Sequence, residues 1–483
     1  MDEKTREVLD IFQKINTLPR CSRHEEKIAL WLQQWGTDNG FNVRKDQVGN
    51  LVINVPATPG SEDRPAIVLQ GHMDMVCEKT PDSDHDFSRD PIRFIYEGDW
   101  LKADKTTLGA DNGIAIGIAL SLAIDDTVDH PPLELLFTVD EETGLTGANQ
   151  MEYNFIRGRI LINIDSEDEG VFTVGCAGGE EIQIILPLSF SNIPSGPKFY
   201  ELSAHGMRGG HSGIDIHKHR ANANKILARA LNVARNSVHI QLTSFRGGKA
   251  HNAIPREAEA VLTCNPSEFP LLQERIRKFE KTVRDEYALT EKTMMLSFSE
   301  KNAGEFDGRV LTAEDTGRVL DLLLALPDGV ANMSPEMKGL VETSNNLATV
   351  EIKDKWLTIL SSQRSCLPSR LEEIASKIKA ITALAGATAK SGNAYPPWQP
   401  ELTSPLLKRC KQIYKQLLNR NPEVKIIHAG LECGIIGSKH QGMDMISLGP
   451  TIENPHSPDE KLFIPSIAPV RNFLAELLKS YAR

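Results

Sequence analysis

Residues 133–144 read LELLFTVDEETG. A short, nearly unbroken apolar run of this length predicts a strand buried on both faces. The acids at its end, Asp140, Glu141 and Glu142, fall where open α/β sheets place their sites, beyond the carboxyl ends of the strands. The same pattern recurs along the chain. AIVLQ (66–70) runs into GHMDM, which brings His72 and Asp74. ILINI (160–164) runs into Asp165, and MDMISLG (443–449) leads into PTIENPHSPDE, which brings His456. The GADNG turn (109–113) sets Asp111 at the start of an apolar helix candidate that reaches Ile124. Amphipathic helix patterns fill most of residues 1–40, and LVINV (51–55) adds a strand. Helices alternating with buried strands predict an α/β fold with a mixed, mostly parallel sheet flanked by helices.

The texture changes near residue 185. From there to about 397, the strand candidates FYELSA (199–204), SVHIQLT (237–243), EAEAVLT (257–263), MMLSFS (294–299) and ATVEIK (348–353) alternate with long charged helices. The helix candidates lie near 219–235, 267–287, 312–326 and 370–386. NAYPPWQP (393–400) has the proline and aromatic content of a junction. The chain therefore divides into residues 1–185 with 398–483, and an inserted α+β domain at 186–397.

At 483 residues, the chain is long enough to bury a core without staples. A formal charge of −11 without long basic runs argues against nucleic acid and anionic membrane as partners. The longest nearly apolar stretch, Ile114 to Ile124, is too short to span a bilayer. The charged N-terminus lacks the apolar core of a secretory signal. Seven cysteines, an odd number with no CxxC, predict reduced thiols in a cytoplasmic protein.

Taken singly, the polar residues have ordinary explanations. An aspartate at a helix start is usually an N-cap, and three acids after a strand usually form a solvated helix N-terminus. Repetition carries the case for chemistry: five segments each bring a metal-ligating side chain to what could be one edge of one sheet. Two histidines and three carboxylates suit a pair of metals that share one carboxylate, and no cysteine joins them. A two-metal centre needs a base that is not a ligand. Adjacent Glu141 and Glu142 can divide those tasks, and Asp74 can hold the His72 ring. In the insertion, His211 in GMRGGHSG and Asn252 in HNAIPRE can donate to a developing oxyanion. Arg364 in SSQRS can pair with a carboxylate.

In order, GHMDMV, TLGADNG, DEETG, INIDSEDEG, GGHSG, HNAIPRE, HAGLECG and GPTIENPHSPDE resemble the co-catalytic zinc aminopeptidase-like family. That family includes carboxypeptidases, aminoacylases, acetylornithine deacetylase and Xaa-His dipeptidases. The resemblance runs through nearly the whole chain. It implies that the insertion is a lid and that Asp111 bridges two zinc ions, with Mn or Co as substitutes. His72 and Asp165 would complete one site, Glu142 and His456 the other. It makes Glu141 the general base and Asp74 the residue that orients His72. It gives substrate contacts to His211, Asn252 and Arg364. It also implies a cis peptide at Asp111–Asn112, a homodimer, and hydrolysis of dipeptides, preferentially those ending in histidine and with β-alanyl-histidine as a candidate. The rival readings are an N-acyl amino acid amidohydrolase, a non-catalytic metal or peptide binder, and a two-metal phosphoesterase.

Overall fold

The computed structural model describes residues 1–193, 196–302, 309–335 and 337–482. Its contacts divide the chain into two units. The first holds Met1–Cys176, Trp398–Ile426 and Leu431–Arg483; the second holds Ala177–Pro397 and Ile427–Gly430.

The first unit is built on an eight-stranded sheet. Its strand order is Asn42–Lys45, Leu51–Val55, Leu133–Thr138, Ile67–His72, Ile160–Asn163, Asp444–Ser447, Val171–Cys176 and Glu423–Ile427. The four strands from Leu133–Thr138 to Asp444–Ser447 run parallel, while Leu51–Val55 and Val171–Cys176 pair antiparallel with the outer two of them. All six residues of Leu133–Thr138 and of Ile67–His72 are buried. The helix Ala110–Ala123 covers this core with apolar residues on every side, as a helix enclosed by protein must. Glu3–Ile15 packs across it, where Gly117 brings the backbone of Val8 to 3.0 Å from a notional Cβ. A small four-stranded sheet joins Ile452–Glu453, Lys461–Phe463, Trp100–Ala103 and Phe94–Glu97. It fixes the segment that carries His456.

The second unit is an antiparallel nine-stranded sheet with helices Ala223–Arg235, Phe269–Glu286, Ala313–Ala325 and Pro368–Leu384. Leu227, Leu231, Leu262, Leu320, Leu347 and Ile378 belong to its one large apolar core. The sequence reading begins the insertion at 186, but the contact boundary lies at 177. The strand Gly178–Pro187 pairs on one side with Trp356–Ser365 and on the other with Thr388–Tyr395, so it belongs to the insertion's sheet. The strand expected at 348–353 begins earlier, at Val341. Its first half, VETSNN, is polar yet buried, which hides it from an apolar-run criterion.

The expectation of reduced cysteines needs correction. Cys21 and Cys77 form a disulfide, while Cys176, Cys264, Cys366, Cys410 and Cys433 are buried and not disulfide-bonded. A separation of 56 residues gives no sequence signal. The two meet because Cys21 bridges Met75 in parallel register. Among the described residues, no helix is long and apolar enough to cross a membrane.

Candidate dinuclear metal site

The parallel strands deliver their polar ends to one edge. His72 is the last residue of its strand and lies in register with Thr138, so the acids after Thr138 emerge beside it. Asp165 follows Asn163, which pairs with Gln70 in the neighbouring strand. Asp111 comes from the first turn of Ala110–Ala123. There the backbone departs from helical geometry and the Asp111–Asn112 peptide is cis. His456 sits in a turn after Ile452–Glu453 with φ of 60°.

These side chains converge. His72 Nε2 lies 3.0 Å from Asp111 Oδ1 and 3.5 Å from Asp165 Oδ1. His456 Nε2 lies 3.1 Å from Asp111 Oδ2 and 3.0 Å from Glu142 Oε2. Two trios, His72–Asp111–Asp165 and Asp111–Glu142–His456, each bring one ligand atom per residue within 4.8 Å of the others. They share Asp111, which faces one histidine with each oxygen. A third trio joins His72, Glu141 and Glu142.

The donor set fits divalent metal. It is imidazole nitrogen and carboxylate oxygen without thiolate, as suits zinc and its borderline neighbours. Glu142 Oε1 is buried without a hydrogen-bond partner, which is costly unless a cation takes the lone pair. Among the described residues, no Lys or Arg forms an ion pair with Asp111, Glu141, Glu142 or Asp165.

Asp74 touches three elements. His72 Nδ1 lies 3.1 Å from its backbone carbonyl and 3.4 Å from its carboxylate. That carboxylate also accepts the backbone N–H of Glu141 at 3.0 Å and of Glu142 at 3.2 Å. Ser22 Oγ donates to it at 2.7 Å. Burial, with Glu142 and Asp165 close by, pushes the Glu141 carboxyl well above the usual carboxylate range. Burial opposes ionisation of Asp111 too, but the hydrogen bonds from His456 and His72 hold it well below that range.

The other three expected residues lie in the second unit. His211 lies in a two-residue ribbon, paired with Ala253, and Asn252 immediately precedes the partner strand. The N–H groups of Gly213 and Ile214 both donate to His211 Nδ1, at 3.1 and 3.2 Å. In the neutral ring, Nε2 therefore carries the proton and is a donor. Arg364 Nη1 donates to Tyr395 Oη at 2.6 Å, while its Nε is buried without a partner.

The sequence reading missed several polar residues around these groups. His428 Nε2 and Ser344 Oγ are 2.7 Å apart, and Ser344 faces Arg364 across the strand pair. In the first unit, buried Glu432 takes hydrogen bonds from Gln70 at 2.6 Å and Thr138 at 2.7 Å. Both residues stand in HAGLECG, whose acid and histidine were the available signal.

Comparison with known proteins adds kinship. Residues 202–291 match a family model described as a peptidase dimerisation domain. The chain is 41% identical to the cytosol non-specific dipeptidase of Escherichia coli K12, over 97% of this chain and 96% of that protein. The solved aminoacylhistidine dipeptidase of Vibrio alginolyticus is 38% identical, with a TM-score of 0.87, over 98% of this chain and 96% of that one. Aminopeptidase PepT of Bacillus cereus is 16% identical with a TM-score of 0.58, over 99% of each chain, a likeness of fold alone.

Proposed function

The chain belongs to the M20 metallopeptidase family, and from that premise we propose that it is a dinuclear zinc dipeptidase whose substrates include Xaa-His. The observation that carries this reading is the pair of ligand trios joined through Asp111. His72 and Asp165 would hold one ion and Glu142 and His456 the other, with Asp111 shared between the two sets. Zinc suits these donors in this reading, and Mn or Co can occupy them as well. Bound there, such a pair would supply Lewis-acid polarisation of a carbonyl and a more acidic water.

The remaining work falls to the chain's own groups. Glu141 takes the proton from the attacking water and passes it to the leaving amine. Asp74 keeps the His72 ring oriented. The Nε2–H of His211 and the amide of Asn252 donate to the oxyanion. Arg364 binds the terminal carboxylate of the dipeptide, which limits the length of chain accepted. The peptidase dimerisation match over 202–291 supports a homodimer. The name of the E. coli relative supports a cytoplasmic location.

The names of the two close relatives differ in breadth, one non-specific and one aminoacylhistidine. A substrate panel tests the proposal: an Xaa-His dipeptide, β-Ala-His, a dipeptide without histidine, a tripeptide, an N-acetyl amino acid and a phosphate ester. Chelator-sensitive cleavage of dipeptides is expected, with Xaa-His among the best. Preference for the N-acetyl amino acid or the phosphate ester would keep the metal site and overturn the dipeptidase reading.

A further inference from the structure

The turn that carries Asp111 is gripped from both sides by two buried charges. On one side stands Glu460, 2% exposed. Its Oε2 accepts the backbone N–H of Leu108 at 2.7 Å and of Gly109 at 2.9 Å. Its Oε1 accepts those of Ala110 at 2.8 Å and Asp111 at 3.2 Å. One carboxylate thus satisfies four successive N–H groups that have no helical partner. On the other side stands Arg20, 1% exposed. Its Nη2 donates to the carbonyl of Gly109 at 2.5 Å and to Asn16 Oδ1 at 3.1 Å. Its Nη1 donates to the carbonyls of Met73 at 3.2 Å and Asp74 at 3.0 Å.

These bonds tie three segments together. Glu460 lies four residues after His456, so its carboxylate joins the His456 segment to the Asp111 turn. Its own N–H bonds the carbonyl of Ser457 at 3.0 Å, and the next residue enters the small four-stranded sheet. Arg20 joins the same Asp111 turn to the loop that follows His72. The contact leaves no slack. Gly109 has a φ of 68°, and a Cβ there would stand 2.4 Å from Arg20 Nη2. Only glycine accepts both conditions.

We infer that Glu460 is a positioning residue that holds Asp111 and His456 at the spacing a metal pair requires, on a turn that Arg20 anchors from its other side. The inference rests on the dinuclear reading above. A buried acid satisfying a turn is otherwise a plain structural device, and Asp46 supplies the comparison in the same unit. Asp46 Oδ1 takes the N–H groups of Val48, Gly49 and Asn50 at 3.1, 2.9 and 2.9 Å and belongs to no ligand trio. Both acids organise a turn through its backbone N–H groups, but only one of these turns carries a ligand.

The test is zinc titration of the full chain against a chromophoric chelator, for the wild type and for Glu460→Gln, Glu460→Asp and Asp46→Asn. Visible spectra of the cobalt-loaded forms are taken alongside, with circular dichroism as the check on folding. Glutamine turns an NH2 toward two backbone donors. Loss of such outer support typically costs about 10–100-fold in metal affinity, and that is the range expected for Glu460→Gln, with an altered cobalt spectrum. Glu460→Asp keeps the charge but is one methylene short. It should bind more tightly than Glu460→Gln and more weakly than the wild type. Asp46→Asn should lose thermal stability and bind both ions as the wild type does. If folded Glu460→Gln and Glu460→Asp bind zinc like the wild type, the positioning role is wrong. Equal weakening in Asp46→Asn would reduce Glu460 to a general brace and overturn it as well. A wild type that binds no zinc would instead contradict the dinuclear reading.

Discussion

Asp74 accepts the backbone N–H of Glu141 through one carboxylate oxygen at 3.0 Å. The side chain beside the His72 ring therefore also fixes the start of the short helix that presents the proposed base. Asp74→Ala should consequently damage two things together. Zinc affinity should fall about 10–100-fold through the loosened His72 ring, and kcat should fall further than the metal loss explains. Measuring kcat at saturating zinc separates the two. Full kcat under that condition would confine Asp74 to the His72 side.

Glu141→Gln removes the proposed proton carrier with little change of shape. General acid–base groups contribute about 10²–10⁴-fold, so kcat should fall by at least about 100-fold. Metal content by atomic emission should stay at two ions per chain. Retained turnover would remove Glu141 from the chemistry, and a lost ion would make it a ligand.

Arg364 is assigned to the substrate carboxylate. A charge-assisted hydrogen bond is worth about 1.5–3 kcal/mol, so Arg364→Ala should lower kcat/KM by roughly 10–150-fold. The informative comparison uses a dipeptide amide, which lacks the carboxylate. Amidation should be costly for the wild type and nearly neutral for the variant. Equal penalties in both would show that Arg364 does not read the C-terminus.

His428 carries a pH signature. Burial, reinforced by the Arg364 charge, pushes its imidazole down to about 3 from the ordinary 6.5. The unfolded chain therefore takes up a proton below about pH 6.5 that the folded chain refuses until about pH 3. The stability tied to the neutral ring is complete above pH 6.5 and is lost as pH falls toward 3. His428→Gln should flatten the decline of Tm between pH 6.5 and 4. An unchanged slope would mean that the ring titrates normally in the folded protein.

The cysteines offer a check on the fold itself. Denatured without reductant, the chain should show five titratable thiols, and seven after reduction. Seven in both states would mean that Cys21 and Cys77 are unbridged.

The strand ends were readable because period and chemistry agreed. Buried runs such as LELLFT and IVLQ stop abruptly at acids and histidine, and no turn or cap preference accounts for so many of them at once. Other parts were illegible for physical reasons. The strand from Val341 buries serine, threonine and asparagine whose partners lie far along the chain, as when Asn345 Oδ1 accepts from Ser361 and Gln363. Arg20 looks like a surface residue in LPRCSR, because its backbone carbonyl partners leave no mark on composition. Glu460 looks like one more acid in HSPDEK, since the N–H groups it gathers lie about 350 residues away. Cys21 and Cys77 meet only once the segment after Arg20 aligns along Met75.

In the proposed centre one carboxylate, Asp111, joins two metal ions. Anomalous diffraction at the zinc edge from zinc-loaded crystals tests it most directly. Two peaks per chain are expected roughly 3.5–4 Å apart, one beside His72 and Asp165, the other beside Glu142 and His456, with the Asp111 carboxylate between them. A single peak, or two peaks of which Asp111 touches only one, would contradict it.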